Sequence, residues 1–199
     1  IALEPSQDHK PVFDGDEGPN TGGMGAYSPT PFVSEEMETR IYQEILRPTL
    51  KALQQEGIRY EGILYAGLIL TETGPKVLEF NCRLGDPEAQ VILPRLENDL
   101  VEIIGKVREN RVSEIELSWD ARAAICVVLA SGGYPISYET GFEIKGLKQL
   151  RQHDNLLIFH SGTRQAHNKF VTDGGRVLGI TVLGETLLDA YDQVYDYID

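Results

Sequence analysis

Residues 77–84 of the 199-residue chain alternate apolar and polar side chains, which is the pattern of a β-strand. Because successive side chains of a strand point to opposite faces, Glu79, Asn81 and Arg83 are predicted to share one face. At the usual rise of a strand, each of them lies about 7 Å from the next. The intervening apolar side chains are predicted to belong to the core. The segment therefore presents a carboxylate, an amide and a guanidinium side by side.

The predicted strand leads directly into a tight turn at Gly85, Asp86 and Pro87. Asp86 at the N-cap and Pro87 at the first position are typical of a helix start, where free amide N–H groups attract anions. Carboxylate and amide oxygens suit a hard cation such as Mg²⁺, and arginine can bind a phosphate. Alternation alone is equally typical of a strand with one face in water. The neighbouring helix start favours a site for phosphate chemistry.

Several segments resemble one enzyme family in the same order along the chain. Residues 79–88 resemble the signature segment of the phosphoribosylamine–glycine ligases (glycinamide ribonucleotide synthetases) of the ATP-grasp superfamily, and residues 6–10 and 18–29 resemble two further segments. Residues 132–135 and 172–177 are also similar. The resemblance covers essentially the whole chain. It implies an α+β fold, in which the C-terminal half of an ATP-grasp domain precedes a small strand-rich, barrel-like domain.

The resemblance also implies roles for the polar face of the strand. Glu79 and Asn81 match ligands of Mg²⁺ (or Mn²⁺), and Arg83 matches a catalytic arginine at the reacting phosphate, with ATP as co-substrate. Many ATP-grasp proteins carry another acidic metal ligand on the preceding strand. The corresponding position here lies near Gly67, which has no acidic side chain. A second metal ion would therefore lack this protein ligand.

Substrate-binding residues are implied elsewhere in the chain. Gly22, Gly23 and Gly25 permit positive φ and close approach of the backbone, so that successive N–H groups could bind the phosphate of phosphoribosylamine. The alternative is a mobile surface loop. The implied set is Asp8, Lys10, Asn20, Thr21, Gly22, Gly23 and Asp86.

The implied reaction is the ATP-dependent joining of glycine to 5-phosphoribosylamine through glycyl phosphate, in the synthesis of purines. Two other hypotheses stay open: another ATP-grasp carboxylate–amine ligase, and a non-catalytic binding or assembly module. The family's Gly-rich start, its adenine-binding hinge and the lysines that grip the ATP phosphates are expected before Ile1. We therefore expect a fragment with little or no ligase activity by itself.

The rest of the sequence predicts the helices and strands and a division into two domains. The first domain covers residues 1–112, and the second covers residues 113–199 and is β-rich with a terminal helix. Ser34 is a predicted N-cap for a helix towards Gln55 that is interrupted at Pro48. The other predictions are a strand at 1–4, a turn at 6–10, a loop at 14–31, a hairpin of 62–71 and 76–82, a helix at 100–107, a linker at 109–118, strands at 121–130, 156–160 and 176–183, and a helix at 185–197.

Composition limits the possible partners. The net charge is −13, from 31 acidic and 18 basic residues, and basic runs are lacking, which argues against nucleic acid and anionic membranes as partners. The sequence has neither a signal peptide nor a long apolar stretch, so a cytoplasmic protein acting on small molecules is expected. A monomer is expected, with fusion to other purine-pathway enzymes as an option. Cys82 and Cys126 are predicted to be buried core residues without a disulfide.

Overall fold

The computed structural model describes residues 1–150 and 152–198. These residues form two compact units, each built from separate stretches of chain. Unit 1 contains residues 1–2, 30–85 and 98–117, and unit 2 contains residues 3–29, 86–97 and the described residues from 118 onwards. The predicted domains, 1–112 and 113–199, differ from these units because each is continuous in sequence. The predicted domain boundaries stay a prediction.

Two consecutive helices of unit 1 follow the predicted pattern. Helix α1 (Glu35–Ile41) begins after Ser34, whose hydroxyl accepts a hydrogen bond from the N–H of Met37 at 3.2 Å. One π-helical turn (Tyr42–Leu46) separates α1 from α2 (Arg47–Gln55). The irregular turn precedes Pro48, which lacks the N–H that a regular helix would need there. The predicted N-cap and the predicted interruption are both confirmed.

The rest of unit 1 is a hairpin and one more helix. Strands β3 (Tyr65–Thr71) and β4 (Gly74–Asn81) pair antiparallel, which confirms the predicted hairpin. Helix α3, which belongs to unit 2, covers only Ala89–Ile92. Helix α4 of unit 1 (Leu100–Arg108) starts at Asp99, whose carboxylate accepts from the N–H of Val101 at 2.7 Å.

Unit 2 is built on one five-stranded antiparallel sheet. The bounds of its elements are β1 Gln7–Phe13, β2 Glu17–Ser28, β5 Ala123–Ala130, α5 Leu147–Leu150, β6 Leu156–His160, β7 Thr163–Ala166, β8 Lys169–Thr172, β9 Arg176–Gly184 and α6 Leu187–Ile198. The strands of the sheet lie in the order β1-β2-β5-β9-β6, and β7 and β8 form a separate two-stranded sheet. The predicted strands at 121–130, 156–160 and 176–183 and the terminal helix are confirmed.

The core of unit 2 lies on both faces of β9. Ile180 and Val182 are fully buried in one cluster, which includes Val194 of α6. A second cluster contains Cys126 of β5 and Val91 of α3. Burial on both faces accounts for the almost continuous apolar sequence of β9.

Four predictions about elements are wrong. Residues 1–6 have no regular structure, the predicted turn at 6–10 is largely β1, and most of the predicted loop at 14–31 is β2. The loop at 14–31 was predicted from its many glycines, but Gly25 is needed for close packing of β2 against β5. A Cβ at Gly25 would lie 2.7 Å from the carbonyl oxygen of Cys126. The predicted helix start at Asp86 is a turn, and α3 begins only at Ala89.

No helix within the described ranges is both long enough and apolar enough to cross a membrane.

Candidate functional site

The predicted site residues fall in both units. Glu79, Asn81 and Arg83 belong to unit 1. The others belong to unit 2 and are Asp8, Lys10, Asn20, Thr21, Gly22, Gly23 and Asp86.

Glu79 and Asn81 lie two residues apart on β4 and therefore share one face of the hairpin. The amide nitrogen of Asn81 donates to Oε1 of Glu79 at 2.9 Å. Gly67 of β3 is opposite Glu79, and a Cβ at Gly67 would lie 3.1 Å from Cγ of Glu79. The glycine thus leaves the space into which the Glu79 side chain extends.

This pair fits a hard divalent cation. A carboxylate and an amide supply oxygen ligands, and Mg²⁺ usually completes its shell with water and substrate phosphates. Across residues 1–150 and 152–198, no three His, Cys, Asp or Glu side chains are close enough together to hold a metal ion. Within these residues, a cation at Glu79 and Asn81 would therefore not gain a third ligand from a cluster of such side chains.

Arg83 does not continue the strand. Strand β4 ends at Asn81, and the chain bends at Cys82 and Arg83, so the prediction that one extended segment carries all three polar groups is wrong. The Arg83 side chain is exposed, and its Nη1 donates to the carbonyl oxygen of Leu84 at 2.9 Å. Because of this bend, strand alternation cannot predict the direction in which the Arg83 side chain points.

The apolar face of β4 also differs from the prediction. Leu78 is 68% exposed, Phe80 is 40% exposed and Cys82 is exposed as well. These exposed side chains therefore do not form a core within unit 1. Cys126, by contrast, is buried, and both cysteines are free thiols, as predicted.

In unit 2, β1 and β2 bring four of the predicted residues together. Lys10 and Asp8 lie on the same face of β1 and form an ion pair. The hydroxyl of Thr21 donates to the carbonyl oxygen of Lys10 at 2.7 Å and accepts from the N–H of Gly23 at 2.9 Å. The Thr21 hydroxyl therefore links Lys10 of β1 to Gly23 of β2.

The amides of the two glycines have partners inside unit 2. The N–H of Gly22 donates to the hydroxyl of Tyr134 at 3.2 Å, and the N–H of Gly23 donates to Thr21. Neither amide is therefore available for a phosphate in this structure. The N–H cradle at Gly22 and Gly23, and their role in substrate binding, stay predictions.

Asp86 makes an ion pair that the sequence analysis did not find. Nη2 of Arg176, at the start of β9, lies 2.8 Å from Oδ2 of Asp86. The other carboxylate oxygen of Asp86 accepts from the amide of Gln90 at 2.7 Å. Tyr134 and Arg176 lie in the two downstream segments that resemble the family, residues 132–135 and 172–177. That resemblance was the only sequence signal that could have marked these two residues as candidates for the site.

Cys126 of β5, which pairs with Ala26 of β2, carries a buried thiol. Burial raises the pKa of its thiol to about 11, and a hydrogen bond with its neighbour Thr181 opposes this rise. The thiol is therefore almost entirely protonated near neutral pH.

Comparisons with known proteins agree with this architecture. Family models of the phosphoribosylglycinamide synthetase ATP-grasp (A) domain and C domain match residues 1–89 and 124–199. A phosphoribosylamine–glycine ligase of Halalkalibacterium halodurans is 51% identical over 199 residues, which is 100% of this chain and 46% of the relative. The trifunctional purine biosynthetic protein adenosine-3 of Gallus gallus is 50% identical over 192 residues, 96% of this chain and 19% of that protein.

A solved structure matches as well. The phosphoribosylamine–glycine ligase of Thermotoga maritima superimposes with a TM-score of 0.84 at 36% identity, over 98% of this chain and 48% of that one. The chain thus spans about half the length of the Halalkalibacterium halodurans and Thermotoga maritima relatives. The predicted fold class, α+β with part of an ATP-grasp domain and a strand-rich C domain, is confirmed. Both the sequence segments and the fold show that this chain belongs to the phosphoribosylglycinamide synthetase family.

Proposed function

We propose that this chain carries cation-binding and acceptor-binding residues of an ATP-dependent ligase that joins glycine to 5-phosphoribosylamine. The products would be glycinamide ribonucleotide, ADP and phosphate. The observation that carries this proposal is the 51% identity over the whole chain to a curated phosphoribosylamine–glycine ligase. The oxygen-bearing pair of Glu79 and Asn81 on β4 supports it.

The proposed chemistry has two steps. A carboxylate oxygen of glycine attacks the γ-phosphorus of ATP, and ADP leaves, which gives glycyl phosphate. The amine nitrogen of phosphoribosylamine then attacks the acyl carbon, phosphate leaves, and the nitrogen loses a proton. Neither step needs a nucleophilic side chain, so catalysis would come from positioning and from stabilisation of charge. The protonated, buried state of Cys126 agrees with this.

Residues of unit 1 would act on the phosphates. Glu79 and Asn81 would hold Mg²⁺ (or Mn²⁺) through their oxygens, and a bound cation would offset the negative charge of ATP. The exposed guanidinium of Arg83 would bind the transferring phosphoryl group, since its planar fork matches phosphate oxygens.

Residues of unit 2 would position the acceptor substrate. The half-buried pair of Asp8 and Lys10 offers both an acceptor and a donor of hydrogen bonds beside Thr21. Asn20 is exposed next to this group. Gly22, Gly23 and Asp86 would complete the subsite.

The proposal includes the setting of the reaction. The protein would act in the cytoplasm on small molecules, as a monomer. Because a relative of this chain lies within a trifunctional purine biosynthetic protein, the domain type also fits into longer multifunctional chains.

A chimera tests the function directly. The chain replaces the matching 46% of the Halalkalibacterium halodurans relative, and release of ADP is measured with glycine and phosphoribosylamine, the latter formed in the assay from ribose 5-phosphate and ammonia. We expect activity that requires both substrates. The unmodified relative is the positive control. A chimera that folds but releases ADP only with a different acid or amine would contradict the proposal and favour another carboxylate–amine ligase.

A further inference from the structure

We propose that Arg176 is a positioning residue for the acceptor subsite, because it joins the Gly22–Gly23 segment of β2 to Asp86. This inference rests on the proposed function. It assigns Arg176 to the proposed ligase and predicts that loss of this side chain weakens the binding of phosphoribosylamine in particular.

The guanidinium of Arg176 makes four hydrogen bonds to two separate segments of unit 2. Its Nη1 donates to the carbonyl oxygens of Gly22 at 3.0 Å, Gly23 at 3.3 Å and Asp86 at 3.0 Å. Its Nη2 donates to the carboxylate of Asp86 at 2.8 Å. One side chain therefore fixes two segments that are more than sixty residues apart in sequence.

The packing around the two glycines leaves little freedom for any other arrangement. A Cβ at Gly22 would lie 3.0 Å from Cζ of Arg176. Gly23 has a φ of +116°, and a Cβ there would lie 2.4 Å from Cδ of Pro87. The glycine backbone thus lies directly against Arg176 and Pro87, and a side chain at either position would push them away.

The contacts also determine which way the peptide groups point. In a trans peptide the carbonyl oxygen and the N–H point in opposite directions. Because the carbonyl groups of Gly22 and Gly23 point towards Arg176, the N–H groups of the residues that follow them point away from it. The orientation of the polar backbone groups at this part of β2 therefore depends on the guanidinium.

The charge of Arg176 is balanced within the same cluster. Its side chain is 20% exposed and is paired with the carboxylate of Asp86, whose other oxygen is held by Gln90. With both oxygens engaged, the Asp86 carboxylate has one fixed orientation. Loss of Arg176 would free Asp86 and the glycine segment together, which would weaken binding of a substrate that contacts them.

Substitutions of Arg176 in the chimera test this role. Arg176→Met removes every donor and keeps much of the stem, and Arg176→Lys restores the charge and some of the donors. The matched control is Arg164→Met, which removes an exposed ion pair with Asp173, 3.3 Å long, elsewhere in unit 2. The KM values for phosphoribosylamine, glycine and ATP are measured separately for each variant.

For Arg176→Met we expect the KM for phosphoribosylamine to rise about tenfold or more, which corresponds to the loss of a good charged hydrogen bond. The KM values for ATP and glycine should stay within about twofold, Arg176→Lys should recover part of the loss, and Arg164→Met should behave like the parent. Unchanged KM values in Arg176→Met overturn the proposal. An equal rise in all three, together with a lower melting temperature, does so too, because that result indicates general destabilisation.

Amide hydrogen exchange separates this proposal from the proposed function. An inactive but folded parent chimera would contradict the ligase function without testing Arg176. The unaltered 199-residue chain and its Arg176→Met variant are then compared by exchange at Gly22 and Gly23. We expect faster exchange in Arg176→Met than in the parent or in Arg164→Met. Equal exchange in all three contradicts a positioning role.

Discussion

The amide nitrogen of Asn81 lies 2.9 Å from Oε1 of Glu79 and donates a hydrogen bond to it. This geometry places an amide donor against the carboxylate, whereas a cation between the two side chains would need an oxygen from each. If the proposed cation binds at this pair, the Asn81 amide would turn over, which exchanges the positions of its oxygen and nitrogen. Asn81 is the last residue of β4 and is half-buried.

Replacement of Glu79 should abolish turnover without unfolding the protein. In the chimera, Glu79→Ala should reduce the rate at least about 100-fold, since loss of a group that stabilises charge in the transition state has effects of this size. The melting temperature should be nearly unchanged because Glu79 is exposed. Glu72→Ala, in the exposed turn of the same hairpin, is the control and should keep full activity. Normal activity of Glu79→Ala at ordinary Mg²⁺ concentration would remove the metal assignment.

Arg95 should be the most important ionic side chain for the stability of unit 2. It is buried, pairs with Glu4, and donates to the hydroxyl of Ser28 at 2.7 Å and to the carbonyl oxygen of Arg122 at 2.8 Å. Arg95→Met leaves these acceptors without their donor, so we expect a loss of about 3 kcal/mol in the free energy of unfolding.

Urea unfolding measures this effect against a surface control. Arg111 is exposed and pairs with Glu109 and Glu114, so Arg111→Met should cost less than about 1 kcal/mol. Equal losses for the two variants would show that the buried network contributes no more than a surface pair.

Two glycines of unit 1 should respond to alanine with opposite signs. Gly105 lies within α4 with open space around it, so Gly105→Ala should stabilise the protein by about 0.5–1 kcal/mol. Gly57 has a φ of +72° and ends α2, with its N–H donating to the carbonyl oxygen of Gln54. Gly57→Ala should destabilise by about 1 kcal/mol. Thermal or urea unfolding of the two variants checks the signs, and stabilisation by both would exclude the proposed strain at Gly57.

The two cysteines should differ in their reaction with thiol reagents. Cys82 is exposed, whereas Cys126 is buried with a pKa raised to about 11. At pH 8 only about one Cys126 in a thousand would be a thiolate, and burial also blocks access. A disulfide reagent should therefore titrate one thiol in the native chain and two in urea. Cys82→Ser should lose the native reaction, and rapid reaction of both native thiols would contradict the burial of Cys126.

The elements that were predicted correctly have signals in their own sequence. Ser34 and Gly57 mark the ends of the α1–α2 segment, and the apolar run of β9 reflects burial on both faces. These features depend on capping residues or on the hydrophobic pattern of one element. They can therefore be predicted from one sequence without knowledge of distant contacts.

The elements and contacts that were missed depend on distant partners. Gly25 suggested a loop, yet it is a glycine because the backbone of β5 approaches it closely. Leu78 and Phe80 suggested a core, yet alternation cannot tell whether another layer covers that face. The family resemblance of residues 172–177 includes Arg176 but does not reveal its contacts, because these are carbonyl groups of two remote segments.

The sheet order of unit 2 has a consequence for synthesis on the ribosome. Strand β2 pairs with β1 by a local hairpin, but its other edge pairs with β5, which is made roughly 100 residues later. During that interval the emerging β1–β2 hairpin carries an open edge that could recruit a strand from another nascent chain. The glycines and the proline of β2 weaken such pairing. The same composition that accommodates close packing in the finished sheet therefore also protects the half-made chain from aggregation.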